Sequence, residues 1–165
     1  MNSTDKSGTG AGAGAGASTG AVQDFVSMTV GGQLFGIPVL KVQDILGPQR
    51  IWHIPLAPME VAGSLNLRGR IVTAVDVRLR LGLPARGAEE QPMSVVVESR
   101  GEPYSLLVDQ VGEVLSLKTS EFERNPPTLD IRWREFSEGI YRLDGTLLIV
   151  LNVARLLEVG RAEAA

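Results

Sequence analysis

The sequence predicts a mainly-β protein built as two related subdomains, on three observations. Short apolar runs rich in Val, Ile and Leu are broken at regular intervals by turn residues, the pattern of a barrel or sandwich. Features of the first half recur in the second half at matching positions. At 165 residues, with 44% apolar and 21% charged side chains, the chain has about one domain's worth of core-forming material.

In chain order, residues 1–22 read as a disordered leader. Met1–Gly20 is mostly Gly, Ala, Ser and Thr, which bury too little surface to offset the entropy of ordering. Gly16-Ala-Ser-Thr-Gly20 matches the G-x-S-x-G hydrolase elbow, but a floppy tail lacks the strand and helix that motif needs. From Asp24 the strands begin. Phe25–Val30 and Leu34–Ile37 flank Gly31-Gly32, a two-residue hairpin signal. Val42–Leu46 ends at Gly47-Pro48, and Leu65–Leu67 and Arg70–Val75 flank Arg68-Gly69, with Leu67 and Ile71 expected to face the core. A short helix follows over Val77–Leu81, capped by Asp76 and stopped by Gly82 and Pro84. Gly82–Pro92 is a linker or long loop in which Glu89-Glu90 is a solvated pair. Met93–Glu98, Tyr104–Val108 and Val111–Leu117 are the next strands, with Arg100-Gly101 between the first two. Ile140–Leu143 and Thr146–Leu151 flank Asp144-Gly145, the strongest hairpin signal in the chain. A second helix spans Val153–Val159, from Asn152 as cap to Gly160 as stop.

The halves align. Gly69–Val77 matches Gly145–Val153 without gaps, so turn glycine, apolar strand, capping residue and helix start coincide. Upstream, Phe35–Val39 and Val42–Leu46 match Tyr104–Val108 and Val111–Leu115. The two offsets differ by seven residues, which places an insertion at Asn125–Trp133 with its Pro126-Pro127. The domain is therefore expected over residues 23–160, with approximate repeats 24–82 and 93–160. Each repeat is too small to bury a good core alone, so the two pack together.

Composition removes most chemistry. Zero Cys excludes disulfides, thiolate nucleophiles and cysteine-ligated metals, and agrees with a reducing compartment. One His excludes a multi-histidine metal site, and a net charge of −3 argues against nucleic acid. No apolar run reaches the roughly 18 residues of a membrane span, and the start of the chain lacks a secretory signal pattern. His53 stands before Ile54-Pro55 and reads as a half-buried loop residue beside Trp52. No P-loop, dinucleotide or EF-hand pattern is present, so no catalytic residue, cofactor or metal is expected. What remains is surface. Arg68 sits beside a turn glycine, where its planar fork can recognise a carboxylate or carbonyls, or simply be solvated. Strand alternation puts Val42 and Asp44 on one face, with Gln43 and Ile45 on the other. Asp44 is then an edge-strand gatekeeper or the rim of a docking patch.

Phe35–Ile45, Ile54-Pro55 with Pro58, Gly63–Val72 and Asp76-Val-Arg78 together resemble the CheW family, the coupling proteins of bacterial chemotaxis. Val108–Leu115 and Leu148–Leu156 extend the resemblance, which runs from about Asp24 to Val159. It implies two SH3-like five-stranded β-barrel subdomains with short helices. It also implies a non-catalytic, cytoplasmic adaptor at membrane-associated receptor arrays, without direct membrane insertion. Its partners would be chemoreceptor cytoplasmic hairpin tips and the regulatory domain of the histidine kinase CheA. Val42, Asp44 and Arg68 fall where the family contacts the receptor hairpin, in the groove between subdomains. The kinase surface maps only onto loops of the second half. Asp44 stands where glutamate is common, and Thr73 where many members have proline. The same fold serves as the kinase's own regulatory domain and occurs fused to a receiver domain, but this chain has neither a kinase segment nor a receiver. Two other functions stay open: an adaptor for a kinase array outside chemotaxis, and a small serine hydrolase using Ser64 or Ser18 with His53.

Overall fold

The computed structural model describes residues 20–158. Met1–Thr19, with Ser18 and most of the G-x-S-x-G match, lies outside the described residues, as do Val159 and Gly160. The described chain runs β1 (Val22–Val30), β2 (Gln33–Pro38), β3 (Val42–Leu46), β4 (Val61–Leu67), β5 (Arg70–Asp76) and α1 (Val77–Arg80). It continues with β6 (Met93–Ser99), β7 (Glu102–Val108), β8 (Gln110–Lys118), β9 (Ser137–Leu143), β10 (Thr146–Leu151) and α2 (Val153–Leu156). No helix among the described residues is long and apolar enough to cross a membrane.

Local chemistry sets most boundaries. Gly31-Gly32, Arg68-Gly69 and Arg100-Gly101 each carry positive φ at both positions, the tight-turn geometry whose twist matches the flanking strands. At Asp144-Gly145 only the glycine takes positive φ. Asp76 accepts a hydrogen bond from the Arg78 N–H to start α1, and Asn152 accepts one from the Arg155 N–H to start α2. α2 stops at Leu156, short of the Val159 expected from sequence. The reason is tertiary: Arg80 donates from Nε to the Leu156 carbonyl and from Nη2 to the Arg155 carbonyl, acceptors that a longer helix would use itself.

The strands form two five-stranded sheets. Sheet I has the order β8-β1-β2-β10-β9 and sheet II the order β3-β6-β7-β5-β4. Exchanging β1–β5 with β6–β10 converts one order into the other. Each sheet thus takes two strands from one half of the chain and three from the other, so the halves are interleaved. The β2–β10 and β5–β7 contacts are parallel and the remaining ladders antiparallel.

This is the mainly-β, two-subdomain fold expected, with the barrels left open. In each sheet a single bridge ties one edge strand to the segment that follows the other, Glu123↔Ile140 in sheet I and Trp52↔Ser64 in sheet II. A glycine beside each bridge makes the approach possible. A Cβ on Gly63 (φ 148°) would strike the Trp52 carbonyl, and one on Gly139 (φ 152°) would strike the Phe122 ring and the Glu123 carbonyl.

Three cores follow from the alternation of side chains. A shared core between the sheets takes Val26, Met28, Phe35 and Ile149 from sheet I, with Val75, Val95, Val97 and Leu106 from sheet II. The opposite faces close on smaller clusters, Phe25, Tyr141, Leu148 and Val150 in sheet I, and Leu65, Val72, Ala74 and Leu107 in sheet II. Strands that bury both faces lose the usual polar alternation, and full burial of each large side chain contributes about 1.5–3 kcal/mol. The segment predicted as an insertion closes one end of the shared core: Leu129 is buried, the Trp133 indole N–H donates to the Leu81 carbonyl at 2.9 Å, and its ring meets Phe35 edge-on.

Two burial expectations are corrected. Leu67 packs on the sheet II core, but Ile71 is 72% exposed. It shares a face of β5 with Val75, yet lies beside the Arg68-Gly69 turn, beyond the edge of the shared core. His53 is exposed rather than half-buried, because the chain is held there by Trp52 backbone bonds that leave its neighbour outside.

Candidate functional site

Asp44 and Arg68 meet at the mouth of sheet II. β3 and β4 are the two edges of that sheet, and the Arg68 Nη2 lies 2.9 Å from the Asp44 Oδ2 across the gap. The Arg68 side chain is 75% exposed and that of Asp44 24%. Both partners are oriented locally. Asp44 Oδ1 accepts from the Ile45 N–H at 2.9 Å, and Asn66 Oδ1 accepts from the Gly69 N–H at 3.0 Å, holding the turn that carries Arg68.

Val42 does not join them. A register shift between Val42 and Asp44 pairs Val42 with Val97 and Asp44 with Val96, which are neighbours on opposite faces of β6. Val42 therefore packs against the shared core, while Asp44 points to the mouth. Strict alternation placed the two on one face, and the bulge overturns that.

The mouth opens into a pocket of about 190 Å³ with a floor of Leu67, Val72, Val96 and Pro103 and a rim of Gln43, Asp44, Arg68 and Arg70. Seven of these residues belong to strands of sheet II, and Arg68 stands in the turn between β4 and β5.

A second polar cluster joins the sheets. Asp109 connects β7 of sheet II to β8 of sheet I and accepts from Arg78 Nε at 3.0 Å, Arg86 Nε at 3.0 Å and the Gly31 N–H at 2.7 Å. Arg86 also reaches Asp76 at 3.3 Å, so the loop after α1 is pinned by a side chain only 8% exposed. Burial works to raise the Asp109 pKa; the bonds from Arg78, Gly31 and Arg86 outweigh it and hold the carboxyl below its ordinary value. The same Asp109 bond raises the Arg78 pKa.

Ser64 lies in β4 with its backbone paired to Trp52, and no side-chain hydrogen bond joins it to His53 among the described residues. No group of three or more His, Cys, Asp or Glu is placed to hold a metal ion among the described residues. Sequence reasoning missed Arg70, Arg86 and Asp109. It also passed over Gly63 and Gly139, although they stand in the same relation as Gly69 and Gly145.

Comparison with known proteins places this geometry in company. A family model described as CheW-like domain matches residues 24–161. The chemotaxis protein CheW of Klebsiella aerogenes is 30% identical over 135 residues, covering 82% of this chain and 81% of the relative. Protein PilI of Pseudomonas aeruginosa is 27% identical over 131 residues, covering 78% and 74%. The crystal structure of the scaffolding protein TtCheW from Thermoanaerobacter tengcongensis superposes with a TM-score of 0.74 at 30% identity, covering 83% of this chain and 93% of that one.

Proposed function

The chain belongs to the CheW family of chemotaxis scaffold proteins, and from that premise we propose that it joins chemoreceptor cytoplasmic hairpin tips to the regulatory domain of the histidine kinase CheA. It does so without catalysis, from the cytoplasm, at membrane-associated arrays. The observation that carries this reading is the family match across residues 24–161, nearly the whole described chain.

Asp44 and Arg68 contact the receptor hairpin. The support is physical: a guanidinium held in a tight turn, mostly exposed and already oriented by a carboxylate, loses little entropy when it meets a partner. Val42 acts from behind, its side chain fixing β3 to the shared core. Loops of the second half meet the kinase.

The test is recruitment. A receptor cytoplasmic fragment, kinase and this chain are mixed, and kinase co-sedimenting with the receptor is measured. Kinase should follow the receptor only when this chain is present, and recruitment that ignores the chain overturns the reading. One relative, PilI, bears a name other than CheW, which keeps a second reading open, an adaptor for a kinase array outside chemotaxis. Receptor fragments from the two kinds of array, offered in competition, separate the two.

A further inference from the structure

The two sheets enclose small cores of one design but unequal filling. At equivalent ladder positions sheet I places Phe25, Tyr141, Leu148 and Val150 where sheet II places Ser94, Leu65, Val72 and Ala74. These four exchanges are toward smaller side chains, whereas Gly36 and Pro38 of sheet I correspond to the larger Ser105 and Leu107 of sheet II. Sheet I uses the space for rings packed at steep angles, Phe25 and Phe122 each 5.5 Å from Tyr141. In sheet II, Leu65, Ala74 and Ser94 are fully buried, while Val72 lines the pocket of about 190 Å³ at the mouth.

Size and charge define an occupant. A cavity of about 150 Å³ holds benzene, and pockets for drug-sized ligands begin near 300 Å³. The mouth of sheet II thus suits one aliphatic side chain. Its rim carries a surplus cation: Arg68 is matched by Asp44, whereas exposed Arg70 makes no hydrogen bond or ion pair among the described residues.

Resting on the docking of a receptor hairpin, we propose that the mouth of sheet II is the socket for one aliphatic side chain of that hairpin. A carboxylate three or four residues away on the same helical face pairs with Arg70. Arg70 is then a specificity-determining residue beside Arg68.

Val72→Leu fills the socket with the side chain that sheet I carries at the equivalent position. Arg70→Glu reverses the surplus charge without entering the interior. A receptor tip fragment is titrated against wild type and both variants, with melting curves for each. Val72→Leu should lower affinity about ten- to a hundredfold, the worth of burying one aliphatic side chain. Arg70→Glu should lower it about two- to fivefold, an effect that fades as salt rises. In wild type, the Val72 and Val96 methyl resonances should shift as the fragment is added. Unmoved methyls overturn the socket even if Val72→Leu proves unstable. Equal binding by all three proteins also overturns it and leaves receptor docking standing. A wild type that binds no fragment overturns both.

Discussion

Sheet I closes its private core on aromatic rings, whereas sheet II closes on Leu65, Val72, Ala74 and Leu107 and ties its mouth with the Asp44–Arg68 ion pair. Strand order, parallel contacts, bridge and bridging glycine are the same in both. Topology therefore does not distinguish them; side-chain volume does. A well-filled interior offers a partner nothing to enter, while an underfilled one trades packing energy for an opening.

The largest expected effect tests that trade directly. Phe25→Ser gives sheet I the residue that sheet II has at position 94, removes the ring packed on Tyr141, and should cost about 3–5 kcal/mol in urea denaturation. Truncation at the equivalent position of sheet II should not cost. Ser94 is fully buried and its hydroxyl has no partner among the described residues, so Ser94→Ala should be neutral or stabilising by up to about 1 kcal/mol. Comparable losses from both would show that the two interiors are equally demanding.

Next come the bridging glycines. Gly63→Ala and Gly139→Ala each force a Cβ into backbone across the closing bridge at a φ that side chains avoid, and each should cost about 2–4 kcal/mol. Equal costs sharpen the equivalence of the sheets. A much smaller loss at Gly63 would mean that sheet II tolerates an open edge.

The junction should matter less. Asp109→Asn removes the charge that Arg78 and Arg86 share, at about 1–3 kcal/mol at neutral pH. Because the folded pKa of Asp109 is depressed, its contribution is present above the ordinary carboxyl value and is lost as pH falls through the folded one. The stability gap between wild type and Asp109→Asn should therefore begin to narrow at about pH 4 and close only below the depressed folded value. A gap that persists in acid would assign the effect to shape and not to charge.

The strands, turns and caps were legible because their signals are local: alternation, paired turn residues, and Asp76 or Asn152 before an apolar start. The interleaving of the halves was not, since nothing within β1 or β6 says which half's strands it will pair with. Asp44 and Arg68 were legible as candidates, but the bulge that turns Val42 away is invisible when apolar and polar residues continue to alternate through it. Ile71 failed because an apolar residue in a strand reads as core whether or not the core reaches that far. Arg86 failed because a charged residue in a polar loop reads as solvated until its acceptors, ten and twenty-three positions away, are known.

The smallest effect concerns turns. Where sheet I joins β1 to β2 with Gly31-Gly32, sheet II joins β6 to β7 with Arg100-Gly101 and β4 to β5 with Arg68-Gly69, holding two arginines at φ 55° and 53°. Asparagine enters that region more readily than arginine does. Arg100 makes no hydrogen bond or ion pair among the described residues, so Arg100→Asn should stabilise the protein by up to about 1 kcal/mol. Arg68→Asn gains the same relief but loses the ion pair to Asp44, worth about 0–1 kcal/mol for so exposed a pair, so its net stability change should be near zero. Receptor-tip affinity should fall for Arg68→Asn and hold for Arg100→Asn. Denaturation curves and a titration of each variant decide the matter. If Arg68→Asn stabilises as Arg100→Asn does and binds like wild type, the arginine at the mouth has no docking role. If it loses well over 1 kcal/mol, the ion pair is what keeps sheet II shut.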